Sequence, residues 1–439
     1  MFIRRTMVQS AKTVSGTAGW FTPSPDSSLL SALNALRFDN RRTQDLRHIT
    51  DADWQKLLPL IDHARITLPM GLRCDGSLPD WVQARIGQNL ARTTQRYQRV
   101  VESYQEIAHL LEARGIEFLV LKGLSHWPFY CDDPITRPQY DLDLFCPAFS
   151  IGLAHEAVAS LGYQPVHPRA RTATDHLPAM IRKTGWRWRG DYYDPDMPLN
   201  VELHFRFWDP NTEHFDVPGS ERFWSRRTVR HIKGLPLPTL HPSDGFSYAT
   251  WHLLRHLLRG DLLLYHVYEI AHFLDRTADH QVFWCDWRAK RESDLVEAIA
   301  SRLAAEWFGC RLNQVMQESL ERLPLPVRRW FDLFALSPVL ALDHPNKDEL
   351  FLHLCLVKGW RAPLRIALRR LFPPLPSRAI VDAHVPSPTL RLRWKRATFQ
   401  VLFIAGRALH HVRTLAPVLR NACRWLRQGR THRVGNAPL

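Results

Sequence analysis

The sequence predicts an α+β fold in which a small mixed sheet with flanking helices is embedded in a mainly helical protein. Apolar residues recur at three- and four-residue spacing before about residue 114 and again after about residue 242, as helices require. Between these regions lies a short continuous apolar run, Phe118-Leu119-Val120-Leu121, of the kind found in strands buried on both faces. Two further segments, Tyr140 to Phe145 and Leu199 to Phe207, contain polar residues alternating with apolar ones, so each has two chemically different faces.

At 439 residues the chain exceeds what one core fills, since single cores stop growing at roughly 250 to 300 residues. Residues 1–25, dominated by Ser, Thr, Gly and Pro, read as a flexible leader. Residues 26–114 form an N-terminal helical region, with Leu57, Leu58, Ile61 and Ala64 on one face and a long helix from Trp81 to Arg114 that Gly115 closes. Residues 115–240 hold the α/β core. Its first strand ends at Lys122-Gly123, its second is Tyr140 to Phe145, and a helix over 150–161 stops at Leu161-Gly162. Trp186 to Tyr193 and Leu199 to Phe207 read as an antiparallel hairpin turned by Asp194-Pro195-Asp196-Met197-Pro198, with Trp186, Trp188 and Tyr192 on one face. Residues 241–372 form a C-terminal helical domain with helices near 243–259, 262–274 and 295–307, and 373–439 a basic tail.

Composition narrows the functional class. With 45% hydrophobic and 23% charged residues the chain is of folded, globular type. Seven widely spaced cysteines without a CxxC pair suggest neither a disulfide framework nor a zinc ribbon. No apolar run approaches the ~20 residues that span a bilayer, and the N-terminus lacks the apolar stretch of a signal peptide, so a cytoplasmic location is expected. The net charge of +15 is concentrated in the tail: residues 351–439 carry 17 Lys and Arg against one acid, Asp382, while the other 350 residues carry 41 basic and 42 acidic ones. A neutral body without a recognition motif does not mark a nucleic-acid partner. From Val401 to Leu426, apolar residues at 401, 405, 408, 412, 415, 419, 422 and 426 share a helical face, with Arg413, Arg420, Arg424 and Arg427 opposite. Residues 394–430 therefore suit peripheral contact with an anionic membrane surface, or alternatively packing on the body with a solvated basic face. Pro417 is expected to kink or break this helix.

The chemistry is expected in the strands. Successive side chains of a strand point to opposite faces, so Asp141 and Asp143 share a face about 6–7 Å apart while Leu142 and Leu144 enter the core. Asp is a poor strand residue, and two in one strand need a reason. Paired carboxylates can share a hard divalent cation, Mg²⁺ with Mn²⁺ as the alternative, together with substrate phosphates. Glu202 alternates with His204 in the same way and becomes a third ligand if its strand lies beside Tyr140 to Phe145. His252 and His256, at i and i+4 of a helix, share one face, and His272 with Asp275 follows one helix later. Such spacing can bind zinc, but in a chain with 22 His such pairs also arise by chance, and packing or substrate contact is the preferred reading.

The stretch Gly115-Ile116, Leu121-Lys122-Gly123, Tyr130, Arg137-Pro138 and Asp141-Leu142-Asp143-Leu144 resembles an uncharacterised bacterial nucleotidyltransferase family of the DNA polymerase β-like superfamily. Glu202-Leu203-His204-Phe205 resembles that family's Glu-Leu-His strand, and the helices carrying His252, His256 and Asp275 its H…H…D segment. The resemblance, over about residues 50–280, implies a nucleotidyltransferase-type sheet and transfer of NMP from an NTP to an unidentified hydroxyl acceptor. It implies that Asp141, Asp143 and Glu202 are the catalytic, metal-binding acids. Lys122, Gly123, Ser125 and Arg137 would meet the nucleotide, and His204, His252 and His256 the substrate. The wider superfamily has Gly-Ser where Gly123 is followed by Leu124, with Ser125 the nearest hydroxyl, and 18 positions separate Gly123 from Asp141. Two other readings share these residues. One is a glycosyltransferase, whose Asp-x-Asp also holds a metal and a sugar nucleotide; the other is a non-catalytic binding or scaffold protein that keeps the fold.

Overall fold

The computed structural model describes residues 27–74, 76–166, 175–371 and 389–434; the expected leader lies outside them. The protein is mixed α+β, 60% helical, with one seven-stranded mixed sheet. Before the sheet come α1 (Ser27–Ala35), α2 (Asp51–His63), α3 (Thr67–Arg73) and the 34-residue α4 (Asp80–Ala113). Thr50 caps α2, its hydroxyl accepting from the Asp53 N–H, and Gly115 follows α4 at φ +66°.

The strands are β1 (Leu119–Val120), β2 (Asp141–Phe145), β3 (Gln164–Pro165), β4 (Met180–Ile181), β5 (Asn200–His204), β6 (Thr228–Ile232) and β7 (Leu235–Thr239), in the order β3-β4-β5-β2-β1-β7-β6. The pairs β2·β5 and β1·β7 are parallel and the rest antiparallel. Helix α5 (Ile151–Ser160) follows β2.

One expected strand is corrected, and one hairpin was not expected. Trp186 to Tyr193 forms no strand, and β5 takes its antiparallel neighbour from β4 instead. That segment is held by side chains: Trp188 packs edge-on to both Trp186 and Tyr192, Tyr192 OH meets His63 Nδ1 at 2.9 Å, and Trp186 Nε1 donates to Asp194. Conversely β6 and β7 form a tight hairpin through Lys233 and Gly234, both at positive φ. Pro236 and Pro238 argue against a strand there. They are tolerated because β7 pairs with β1 only at Thr239.

The sheet separates two apolar cores. Leu142, Leu144, Val201 and Leu203 point to one side and meet Val100, Tyr104, Ile107 and Leu111 of α4. Each is almost wholly buried, worth roughly 1.5–3 kcal/mol per side chain. On the other side Phe145 stacks on Phe207 within a larger core, which joins α1 to α3 with the helices after the sheet. Those are α7 (Pro242–Arg259), preceded by the single turn α6 (Pro210–Glu213), then α8 (Leu264–Thr277), α9 (Gln281–Ala289), α10 (Leu295–Phe308), α11 (Gln314–Glu321) and α12 (Leu325–Phe334). The turn α13 (Ser337–Leu340), α14 (Glu349–Leu356) and α15 (Arg361–Leu371) complete this region. Six of the 16 tryptophans fill space here: Trp54, Trp251, Trp284, Trp287, Trp307 and Trp330 are all under 2% exposed.

The tail helix α16 runs from Leu390 to Val434 and continues through Pro417 without a break. The expected apolar stripe is not the packed face. Val412, Leu415, Leu419 and Leu426 are exposed, whereas Phe403, Thr414 and Val418 are buried. Anchors on the body decide this rotation: Trp425 stacks on Phe351, Asn421 donates to Asp348, and His411 meets Lys347 at 2.7 Å. No helix among the described residues is long and apolar enough to cross a membrane.

Candidate active site

The face of the sheet turned toward α7 carries the acids. Because β2 and β5 are parallel and in register, Asp143 stands opposite Glu202 and Asp141 opposite Asn200. Asp143, Glu202 and His204 each bring a ligand atom within 4.8 Å of the others. His204 Nε2 lies 3.1 Å from Asp143 Oδ1 and 3.9 Å from Glu202 Oε2. Depth differs along the group. Asp143 and His204 are buried, while Asp141 and Glu202 are half-buried toward the open side.

A carboxylate as deep as Asp143 has to be paired. Lys122, at the end of β1, places Nζ 2.9 Å from Asp143 Oδ1. Burial opposes ionisation of Asp143, but Lys122 and then His204 outweigh it and hold the carboxyl well below the usual carboxylate range. Burial likewise disfavours the His204 imidazolium, yet its bond to Asp143 and the influence of Asp175 raise it above an ordinary histidine. Asp175, whose Oδ2 is 3.6 Å from His204 Nδ1, is in turn paired with Arg255 of α7. Asp175 and Arg255 are site residues that the sequence did not reveal: Asp175 lies in a polar stretch without periodicity, and Arg255 looks like any helix surface cation.

A family model described as uncharacterised nucleotidyltransferase matches residues 50–309. The chain belongs to this family. The match takes in every strand of the sheet and the helices α7 and α8. No curated protein and no solved structure matches the chain significantly.

In this nucleotidyltransferase family member, β1 leads through Lys122 into a 3₁₀ turn, Gly123–His126. Gly123 has φ +70°, and a Cβ there would fall 2.2 Å from the Gln139 side chain, so both conformation and space demand glycine. Gln139 Nε2 donates to the Asp141 carbonyl at 2.8 Å and to Tyr104 OH at 3.2 Å, tying the turn to the start of β2. Ser125 is buried in the turn, and its carbonyl accepts from Arg230. Arg137 is held by Glu269 of α8, with Nε donating to Oε1 at 2.7 Å, and His126 Nδ1 meets the same oxygen at 2.9 Å. Burial raises Glu269, but Arg137 and His126 overcome that and bring it down to about 2.

A small cleft opens beside this group and is lined by Lys122, His126, Arg137, His252, His266 and Glu269 among others. Two expected nucleotide contacts and one expected substrate contact therefore share one wall system. His252 reaches the acids through Lys122, whose Nζ is 3.0 Å from His252 Nε2. His256 lies one turn further on, with its Nε2 3.0 Å from that of His252. Asp275 and His272 do not join them. Asp275 accepts from the Arg311 N–H, and His272 Nδ1 is 3.0 Å from the Phe129 carbonyl. The third histidine of the cluster is His266, in the first turn of α8.

Proposed function

We propose that the protein is a nucleotidyltransferase that moves NMP from an NTP to a hydroxyl of a small molecule, sugar or protein. Mg²⁺, or Mn²⁺ in its place, would be held by Asp141, Asp143 and Glu202 on a nucleotidyltransferase-type sheet. The observation that supports this best is the lateral pairing of Asp143 with Glu202 on parallel strands, in a chain of a nucleotidyltransferase family. Oxygen donors of this kind suit a hard cation. Such a cation, when bound, offsets the leaving pyrophosphate and activates the attacking oxygen, contributions worth several kcal/mol.

The chain's own residues supply the rest. Glu202, half-buried at the open side, either completes the cation site or takes the proton of the acceptor hydroxyl. Lys122 balances Asp143 in this structure; nucleotide phosphates would give its ammonium a further anionic partner. Arg137 presents a guanidinium at the cavity wall already oriented by Glu269. Arg255 and Asp175 fix His204, which in turn fixes Asp143.

The test is incubation with each labelled NTP, Mg²⁺ and candidate hydroxyl acceptors, with UDP-sugars run in parallel. Wild type should release pyrophosphate from at least one NTP, and Asp141→Asn/Asp143→Asn should lose that release at least ~100-fold, as expected when transition-state stabilisation of several kcal/mol is removed. Turnover of UDP-sugars alone would point to glycosyl transfer, and binding without turnover to a non-catalytic role; either result would sink the proposal.

We further propose that α16 seats the protein on an anionic bilayer from the cytoplasmic side. The support is the exposed row Val412, Leu415, Leu419 and Leu426 on a helix that carries 11 Lys and Arg and no acid. Apolar side chains enter the headgroup boundary while each nearby Lys or Arg adds about 1 kcal/mol of attraction.

A further inference from the structure

His252 and His256 of α7 and His266 of α8 converge beside, but separate from, the carboxylates. Their ring centroids are 4.4, 5.0 and 5.2 Å apart, and each offers a nitrogen within 4.8 Å of the other two. The turn at Gly260, φ +68°, folds α8 back so that His266 faces His252 and His256, fourteen and ten residues before it.

Proton accounting identifies what these nitrogens are free to do. His256 Nδ1 lies 3.0 Å from Asp261 Oδ1, so its N–H donates to that carboxylate and its Nε2 keeps a bare lone pair. The Lys122 ammonium can only donate, so His252 Nε2, 3.0 Å away, carries no proton and accepts from it; a bound ion would take this lone pair in place of that hydrogen bond. These two lone pairs face each other at 3.0 Å. His266 Nδ1, also buried, has no hydrogen-bond partner in the structure.

We infer that His252, His256 and His266 form a binding site for a transition-metal ion of the Zn²⁺ class, with a fourth position open to the cavity that His252 and His266 line. Tetrahedral Zn–N bonds of about 2.0–2.1 Å put ligand nitrogens about 3.3–3.4 Å apart, within reach of this arrangement. Three imidazoles select such an ion over Mg²⁺, which prefers oxygen. Asp261 plays the part of the carboxylate that orients a ligating histidine from behind. Two carboxylates offset the positive charge in the neighbourhood: Asp143 pairs with Lys122, and Asp261 stands against His256. The inference does not depend on nucleotide transfer.

The test uses the full-length protein stripped of metal with a chelator and titrated with Co²⁺, then Zn²⁺. One equivalent of Co²⁺ should give the visible bands of a four-coordinate site, and Zn²⁺ should displace it. His256→Ala should abolish the bands. Asp261→Asn, at a partly exposed loop position, should weaken binding ~10- to 100-fold. Glu202→Gln should leave the bands unchanged, which separates this site from the carboxylate site. Absence of the bands in wild type, their persistence in His256→Ala, or their loss in Glu202→Gln would overturn the inference.

Discussion

Lys122 Nζ lies 2.9 Å from Asp143 Oδ1 and 3.0 Å from His252 Nε2, so one ammonium joins the acids of the sheet to the histidines of α7. Removing it leaves a buried carboxylate whose remaining side-chain partner is the His204 imidazole. Lys122→Met should destabilise the protein by about 3–5 kcal/mol, as breaking one side of a buried pair does. If Asp143 is a cation ligand, Mg²⁺ restores part of that loss, and the melting temperature of the variant should rise more with Mg²⁺ than that of wild type. Equal shifts in both would argue against a cation at Asp143.

Gly123 is required twice, by its positive φ and by Gln139. Gly123→Ala should cost about 2–4 kcal/mol, the sum of left-handed strain and crowding. Adding Gln139→Ala relieves the crowding only, so chemical denaturation of the double variant should still show the strain of about 1–2 kcal/mol, alongside the loss of the bonds Gln139 makes. A single variant as stable as wild type would mean that the turn is not held in this conformation.

Glu297 is buried in α10 and pushed up to about 7, chiefly by desolvation, with Trp251 Nε1 donating to it at 3.3 Å. Its folded pKa exceeds the ordinary value of 4.5, so the folded state binds the extra proton. Stability from this group is therefore present below about 4.5 and declines as pH rises to about 7. Glu297→Gln keeps the shape and should be neutral near pH 5 but more stable than wild type at pH 8, by up to roughly 3 kcal/mol. Thermal melts at the two pH values check this; no gain at the higher pH would contradict it.

Glu269 has the opposite sign. Its folded pKa of about 2 lies below 4.5, so its contribution is present above 4.5 and lost as pH falls toward 2. Glu269→Gln strands Arg137, and the acid limb of a stability profile should flatten in that variant between those values. An unchanged limb would show that the Arg137 pair contributes little.

For the tail, the full chain should float with vesicles containing anionic lipid and not with neutral ones, with binding reduced by salt. Leu415→Gln/Leu419→Gln, on the exposed face, should release it without changing the melting temperature. Binding unaffected by that pair would remove the membrane reading.

The strand acids were legible because alternation is local: Asp141, Asp143, Glu202 and His204 each follow from period-2 patterning, and the helices from period 3.6. What escaped depends on long-range partners. The β6–β7 hairpin is hidden by Pro236 and Pro238, which only a sparse contact with β1 makes tolerable. Trp186 to Tyr193 alternates like a strand but is fixed by side-chain contacts to His63 and Asp194. Asp175 finds His204 and Arg255 only once the sheet exists. The tail helix was recognisable, but which face it packs was decided by Phe351, Asp348 and Lys347, distant in sequence.

A cation on β2 and β5 can be tested without knowledge of the acceptor by Mn²⁺ binding followed through its paramagnetic resonance. Wild type with an NTP should immobilise Mn²⁺, and Asp143→Asn and Glu202→Gln should each return most of it to the free signal. Mn²⁺ bound equally well by both variants, or not bound by wild type with any NTP, would contradict the account.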